Sequence, residues 1–250
     1  STQGYSSAAS DVYKRQIVFC VRRKRGVDLM KEERKEPIQI PHIQTINDHI
    51  SYLTPTEHPL SANVVIIEGD AFFWVYDVGN HPAVSEILQK KSEQTGKEIR
   101  VILSHFHPDH IGNLSEISCE AVYQGKNTFR YTKTGTVIEE DTWFQDGDVR
   151  LHLFPIPSSH AKGSLALEVD ETWCFLGDAA YATQKNGQTI YNAERLLAEI
   201  RVLKNVRAPY FLLSHSEPFQ QNKEDVLEWM EAIYEKRKRD ESYIKTPQRL

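Results

Sequence analysis

The chain has 250 residues, 40% of them hydrophobic and 26% charged, with a net charge of −5. That length and balance suit one large globular domain or two small ones and exclude a disordered chain, and no apolar run reaches the roughly 18–20 residues of a membrane-crossing helix. Cys20, Cys119 and Cys174 are scattered, odd in number and free of any C-x-x-C pair, which argues against a disulfide framework or thiolate zinc cage and fits a reducing, cytoplasmic setting.

Taken in chain order, the first 29 residues read as non-native. Ser6–Gln16, SSAASDVYKRQ, is what a transposase-type sequencing adaptor yields when translated in one frame, so residues 1–16 are set aside as a fusion scar would be. Residues 17–29 read as leader. Arg22-Arg23-Lys24-Arg25-Gly26 is what purine-rich ribosome-binding codons translate to, Met30 stands at the spacing of a start, and IVFCV precedes its charges, the reverse of a secretory signal. The expectation is a single domain over residues 30–250. Residues 1–29 carry a net +4, so the remainder carries −9, and an acidic body offers no electrostatic footprint for nucleic acid.

Beyond that point the pattern is α/β. Residues 63–68 and 71–78 are β-branched and aromatic runs around Gly69-Asp70, a hairpin signal. Pro82–Thr95 predicts a helix with Val84, Ile87 and Leu88 inward, closed by Gly96. Arg100–Leu103 is a short buried-type strand. Val137–Trp143 and Val149–Ile156 predict a hairpin around Asp146-Gly147; Ser164–Val169 and Thr172–Leu176 predict another around Asp170-Glu171. A helix over 192–206, a strand Tyr210–Leu213 and an amphipathic helix over 222–237, with Val226, Trp229, Met230 and Ile233 inward, complete the order. Strand-rich halves, each closed by helices, predict a four-layer αββα sandwich.

Ten histidines are present, and they cluster. Ser104-His105-Phe106-His107-Pro108-Asp109-His110 follows the buried strand. In extended chain alternate side chains share a face, so His105 and His107 can grip one ion, while Pro108 turns Asp109 and His110 toward a neighbouring point. Neutral imidazoles and carboxylates suit a borderline metal such as zinc. His160, Asp178 and His215 each stand at or near the end of an apolar strand, where site residues gather. Together these seven are enough for two ions that share one carboxylate.

In this order, the H-x-H-x-D-H block, the later His160, Gly177-Asp178 and the strand-end His215 resemble the metallo-β-lactamase-fold hydrolase superfamily, over about Ser61 to Pro218. The resemblance implies that fold. It places His105, His107 and His160 on one metal, Asp109, His110 and His215 on the other, and Asp178 between them. It makes Asp77 an acid that steadies the ligand loop. It further implies two zinc ions, with iron or manganese as alternatives. The reaction implied is hydrolysis of a small-molecule ester, thioester or lactone by a hydroxide generated between the ions, with Asp109 both ligating and orienting the nucleophile. Asp178 disfavours true β-lactamases. Asp178-Ala179-Ala180-Tyr181 resembles the Asp-Ala-Ser-Tyr of N-acylhomoserine lactonases, whose tyrosine polarises the substrate carbonyl, and the set also resembles glyoxalase II.

The alternatives are a mononuclear-iron persulfide dioxygenase, a di-iron oxygen reductase and a nucleic-acid phosphodiesterase of the same fold. Cys119 and Cys174 read as core, His152 as a satisfied strand histidine, and Lys162 as a solvated loop residue. His81 is a lesser candidate for substrate contact. Partners are expected to be a small molecule, not nucleic acid or membrane.

Overall fold

The computed structural model describes residues 39–246, so the expectations for residues 1–29, with Cys20 and the Met30 start, lie outside the described residues. In chain order the described elements are β1 (Ile43–Thr45), β2 (Ile50–Leu53), the short pair β3 (Thr56–Glu57) and β4 (Leu60–Ser61), β5 (Val64–Glu68), β6 (Phe72–Tyr76), helix α1 (Pro82–Thr95), β7 (Glu98–Leu103), α2 (Pro108–Ile111), β8 (Ala121–Gln124), α3 (Lys126–Thr132) and β9 (Thr136–Val137). Then come β10 (Thr142–Asp146), β11 (Val149–Ile156), β12 (Ser164–Val169), β13 (Trp173–Gly177), β14 (Thr183–Lys185), β15 (Gln188–Asn192), α4 (Ala193–Asn205), β16 (Tyr210–Leu213), β17 (Gln220–Asn222), α5 (Lys223–Tyr234) and β18 (Tyr243–Thr246).

The side-chain period of two turns these strands into layers. In β5 and β6, Val64, Ile66, Phe73 and Val75 point outward onto Val84 and Leu88 of α1. Their alternates Val65, Ile67, Trp74 and Tyr76 point inward, where they meet Leu151, Leu167 and Phe175 of the second sheet. The second sheet behaves in the same way: Ala166, Cys174, Leu176, Phe211 and Leu213 face Leu196, Ile200, Val226 and Met230 of α4 and α5. Three apolar seams therefore separate four layers. The first sheet runs β1-β2-β5-β6-β7-β8-β9 and the second β10-β11-β12-β13-β16-β17. The four-layer αββα sandwich is the architecture the chain adopts.

The ends of α1 follow local chemistry. Pro82 opens it without a lost donor, and Gly96, at φ 71, closes it with its N–H on the Ser92 carbonyl. His81 is buried and its Nδ1 accepts the Ala83 N–H at 3.1 Å, so it caps this helix. The expected strand Val137–Trp143 is two strands in two sheets. Val137 pairs with Gln124 in the first, and Thr142 pairs with Leu153 in the second. Between them Glu139, Glu140 and Asp141 cross over, because acidic side chains gain nothing from a buried ladder. The turn residues of that hairpin are Gly147 and Asp148, since Asp146 still pairs with Val149.

Asp146 ties the two sheets together. Its carboxylate, 6% exposed, accepts the N–H groups of Ala71 (2.8 Å) and Phe72 (3.1 Å) and the Trp74 indole N–H (2.9 Å). From the other side, the Tyr76 hydroxyl donates to the Leu165 carbonyl at 2.8 Å. His152 is satisfied as expected, between Glu168 (3.2 Å) and Asp141 (3.1 Å). Cys174 is buried and Cys119 is half-buried beside the outer seam of the first sheet. Among the described residues no helix is long and apolar enough to cross a membrane.

Candidate metal centre

Strands β6, β7, β13 and β16 end at one edge of the sandwich and deliver Asp77, His105, Asp178 and His215 to it. Loops carry the rest. Pro108 starts α2, which brings Asp109 and His110 round, and the Val78 N–H on the His110 carbonyl (2.8 Å) and the Ala62 N–H on the Asp109 carbonyl (2.9 Å) pin that turn. Asp77 and His215 hold left-handed backbone, at φ 59 and 60. Such conformations cost about 1–3 kcal/mol each in a non-glycine residue and persist where surrounding contacts fix them.

All seven candidate ligands converge, in two groups. His105, His107, His160 and Asp178 form one; Asp109, His110, His215 and Asp178 form the other, each with its ligand atoms within 4.8 Å of one another. In the first, His107 Nδ1 lies 2.9 Å from His105 Nε2 and 3.0 Å from His160 Nε2, and His160 Nε2 lies 3.2 Å from Asp178 Oδ2. In the second, Asp109 Oδ2 lies 3.0 Å from His215 Nε2 and 3.5 Å from His110 Nε2, while His110 Nε2 lies 3.4 Å from Asp178 Oδ1. Asp178 thus turns one oxygen toward each group.

The surrounding contacts set the tautomers. Asp77, fully buried, accepts from the Ser104 N–H, the Ser104 hydroxyl and His110 Nδ1, each at 2.7 Å. With Nδ1 donating to Asp77, Nε2 is the His110 atom turned toward the site. The Ser104 oxygen stands 3.0 Å from His105 Nδ1, and the Ala182 carbonyl accepts from His160 Nδ1 at 3.0 Å, so these two also turn Nε2 inward. The Asn63 side-chain oxygen accepts the His215 N–H at 3.0 Å. Ser104, Asn63 and the Ala182 carbonyl were not read from the sequence. Ser104 had a signal in its place before His105; Asn63, 152 positions from His215, had none.

The electrostatics are those of a crowded, buried cluster. Burial, then the neighbouring His110, pushes His105 well below the usual imidazole range; burial and His160 push His107 down to about 4. Burial alone would lower His110, but Asp178 and Asp77 overcome it and hold its pKa well above the usual value. Burial would raise Asp178, yet His110 and His160 keep it well below the carboxylate range. Asp109 follows the same logic: burial raises it, and the His215 hydrogen bond with the His110 charge brings it down.

Does this pocket of side chains fit a metal? Two atoms decide it. His110 Nε2 and Asp178 Oδ1 are buried and, although 3.4 Å apart, make no well-formed hydrogen bond to each other or to any other group, which leaves both short of a strong partner. Separations of 2.9–3.2 Å in the first group are close to the roughly 3.3 Å edge of a tetrahedron with about 2.0 Å arms. The donor set, imidazole nitrogen and carboxylate oxygen, suits zinc, iron or manganese. The residues fit. Tyr181, expected to act on substrate, donates its hydroxyl to the Ser214 carbonyl at 2.8 Å and so braces the loop that carries His215. Lys162 is exposed on the loop after His160.

Comparison with known proteins gives the same picture at the level of fold. The family model of the metallo-β-lactamase superfamily matches residues 59–124, the stretch that holds Asp77 and the H-x-H-x-D-H block. A metallo-β-lactamase from Pontibacter korlensis superposes with TM-score 0.61 at 15% identity, over 79% of this chain and 100% of its own. The stereoselective inverting sec-alkylsulfatase Pisa1 from Pseudomonas sp. superposes with TM-score 0.61 at 14% identity, over 78% of this chain and 42% of its own. A flavo di-iron protein mutant from Thermotoga maritima does so with TM-score 0.61 at 12% identity, over 81% of this chain and 63% of its own. Among curated proteins none matches the sequence.

Proposed function

From the premise that this chain has the metallo-β-lactamase fold, we propose that it is a two-metal hydrolase that cleaves an ester, thioester or lactone of a small molecule. The observation that carries the reading is Asp178, whose two oxygens face separate ligand groups, Oδ2 lying 3.2 Å from His160 Nε2 and Oδ1 3.4 Å from His110 Nε2. His105, His107 and His160 with Asp178 would hold one ion, and Asp109, His110 and His215 with the same Asp178 would hold the other. Divalent ions held there acidify water near neutral pH and polarise a carbonyl.

The chain's own residues supply the rest. Asp109, with a side chain 15% exposed and one oxygen on His215 Nε2 at 3.0 Å, is the carboxylate placed to orient a water and receive its proton. Asp77 and Ser104 lock the ligand loop so that the histidines do not reorient between turnovers. Tyr181 acts by bracing Ser214. No serine or cysteine nucleophile is required, and buried Cys174, with its thiol pKa raised by burial, is not one.

Zinc is the proposed metal, with iron or manganese as alternatives. The likeness in fold to a flavo di-iron protein supports keeping a redox reading as the second one. We place the protein in a reducing, cytoplasmic setting on its cysteine usage, with no role for nucleic acid or membrane. The test is elemental analysis of the purified protein together with thioester, lactone, aryl-ester and phosphodiester substrates. Two zinc-type ions and carboxylate-releasing turnover are expected; one iron and no zinc would move the assignment to the dioxygenase.

A further inference from the structure

Phe106 stands between the two ligands His105 and His107, and the alternation that turns those imidazoles inward turns its ring outward. That ring packs edge-on against His107, with centroids 5.0 Å apart. Its face is stacked on Tyr131 of α3, at 4.7 Å and 6° between planes. Tyr131 is 56% exposed. An aromatic surface therefore begins where the first ligand group ends and continues outward into solvent.

Helix α3 is held in that place from its other end. Gly125, its N-cap, lies so close to the Gly163 carbonyl that a Cβ there would collide with it, and a Cβ at Gly163 would lie 3.3 Å from Asn127. Gly163 belongs to the loop that carries His160. The helix is thus fastened to the two loops that supply the three histidines of the first ligand group, by the aromatic stack on one and by backbone contact on the other. A ring that served only to pack α3 would be covered by it. Tyr131 instead leaves 56% of its surface exposed, one ring away from His107 through Phe106.

The geometry points to the Phe106–Tyr131 stack as the specificity-determining wall of the substrate site, one that receives a planar, apolar group such as an aryl ring on the acyl side. Stacking on an aromatic face favours a flat ring over a flexible chain of similar size, because the contact forms at smaller cost in conformational freedom. This inference rests on the hydrolase reading for the reaction but not for the binding.

The test uses the full chain, metal-free and zinc-loaded, with phenylacetate and hexanoate as probes and their thioesters as substrates. Saturation-transfer NMR should show phenylacetate on the metal-free wild type, with a loss in Tyr131→Ala and retention in Tyr131→Phe. In turnover, the preference in KM for phenylacetyl over hexanoyl thioester should fall roughly two- to tenfold in Tyr131→Ala, the range of one aromatic pair, and hold in Tyr131→Phe. Melting temperature and zinc content of Tyr131→Ala serve as the check on folding. Equal phenylacetate binding and an unchanged preference in Tyr131→Ala would overturn the inference. If no substrate is turned over, the hydrolase reading fails by itself, and phenylacetate binding still decides the wall: loss in Tyr131→Ala supports it, equality sinks it.

Discussion

Asp178→Asn keeps the shape of the side chain and removes its charge, at the one residue common to both ligand groups. Oδ2 lies 3.2 Å from His160 Nε2 and Oδ1 lies 3.4 Å from His110 Nε2, so the substitution reaches both ions at once. A ligand at a hundredfold excess over its Kd adds about 2.7 kcal/mol of stability per site. For a domain of this size each kcal/mol moves Tm by about 2–4 °C, which makes about 5–11 °C per ion. The wild type should therefore rise by about 11–22 °C on zinc loading and retain two ions after gel filtration. His160→Ala and His215→Ala, each in one group only, should keep one ion and about half of the rise. Asp178→Asn should keep neither. Calorimetry with and without zinc, paired with elemental analysis, reads all four proteins. Retention of two ions and the full thermal rise in Asp178→Asn would refute the idea that this carboxylate joins the two groups.

The remaining predictions touch the site and its frame. His107→Ala and Asp109→Ala should each abolish turnover and leave the far-UV circular dichroism spectrum intact, since both lie on the rim; global unfolding would make the centre structural instead. Asp146→Ala removes three hydrogen bonds and should cost about 2–4 kcal/mol in urea unfolding; a cost below about 1 kcal/mol would show that water replaces it. Burial would raise Glu168, but hydrogen bonds from His152 and from the backbone of Ala208 and Arg207 hold its pKa below the usual value. Its contribution is therefore complete above about pH 4.3 and lost as pH falls through the folded value. Glu168→Gln should accordingly cost about 1–2 kcal/mol at pH 7 and less at pH 3; an equal cost at both would contradict that sign.

The site was more legible than the fold around it, and the reasons are local. His105, Asp178 and His215 stand within two residues of a strand end and the other four candidate ligands follow on the loops beyond β7 and β11, so position and ligand type pointed the same way. Helix α1 was readable to its ends because Pro82 and Gly96 are punctuation that needs no tertiary context. By contrast, α3 (KNTFRYT) has too little apolar periodicity to announce itself and is held by Phe106 and Gly163, contacts distant in sequence. β8 (AVYQ) is only four residues long and gains its place from parallel neighbours. Val137–Trp143 misled because hydropathy does not mark a change of sheet. Motif reading gave Tyr181 but not its hydrogen bond to the Ser214 carbonyl, which depends on a strand end 33 positions away.

The central claim is hydrolysis, and the source of the incoming oxygen tests it most directly. The zinc-loaded protein should be given a thioester substrate without oxygen gas in 18O-labelled water, and the product acid weighed by mass spectrometry. The account predicts undiminished turnover and one labelled oxygen in each new carboxylate. Turnover that requires oxygen gas, or a product that carries no label from water, would contradict it.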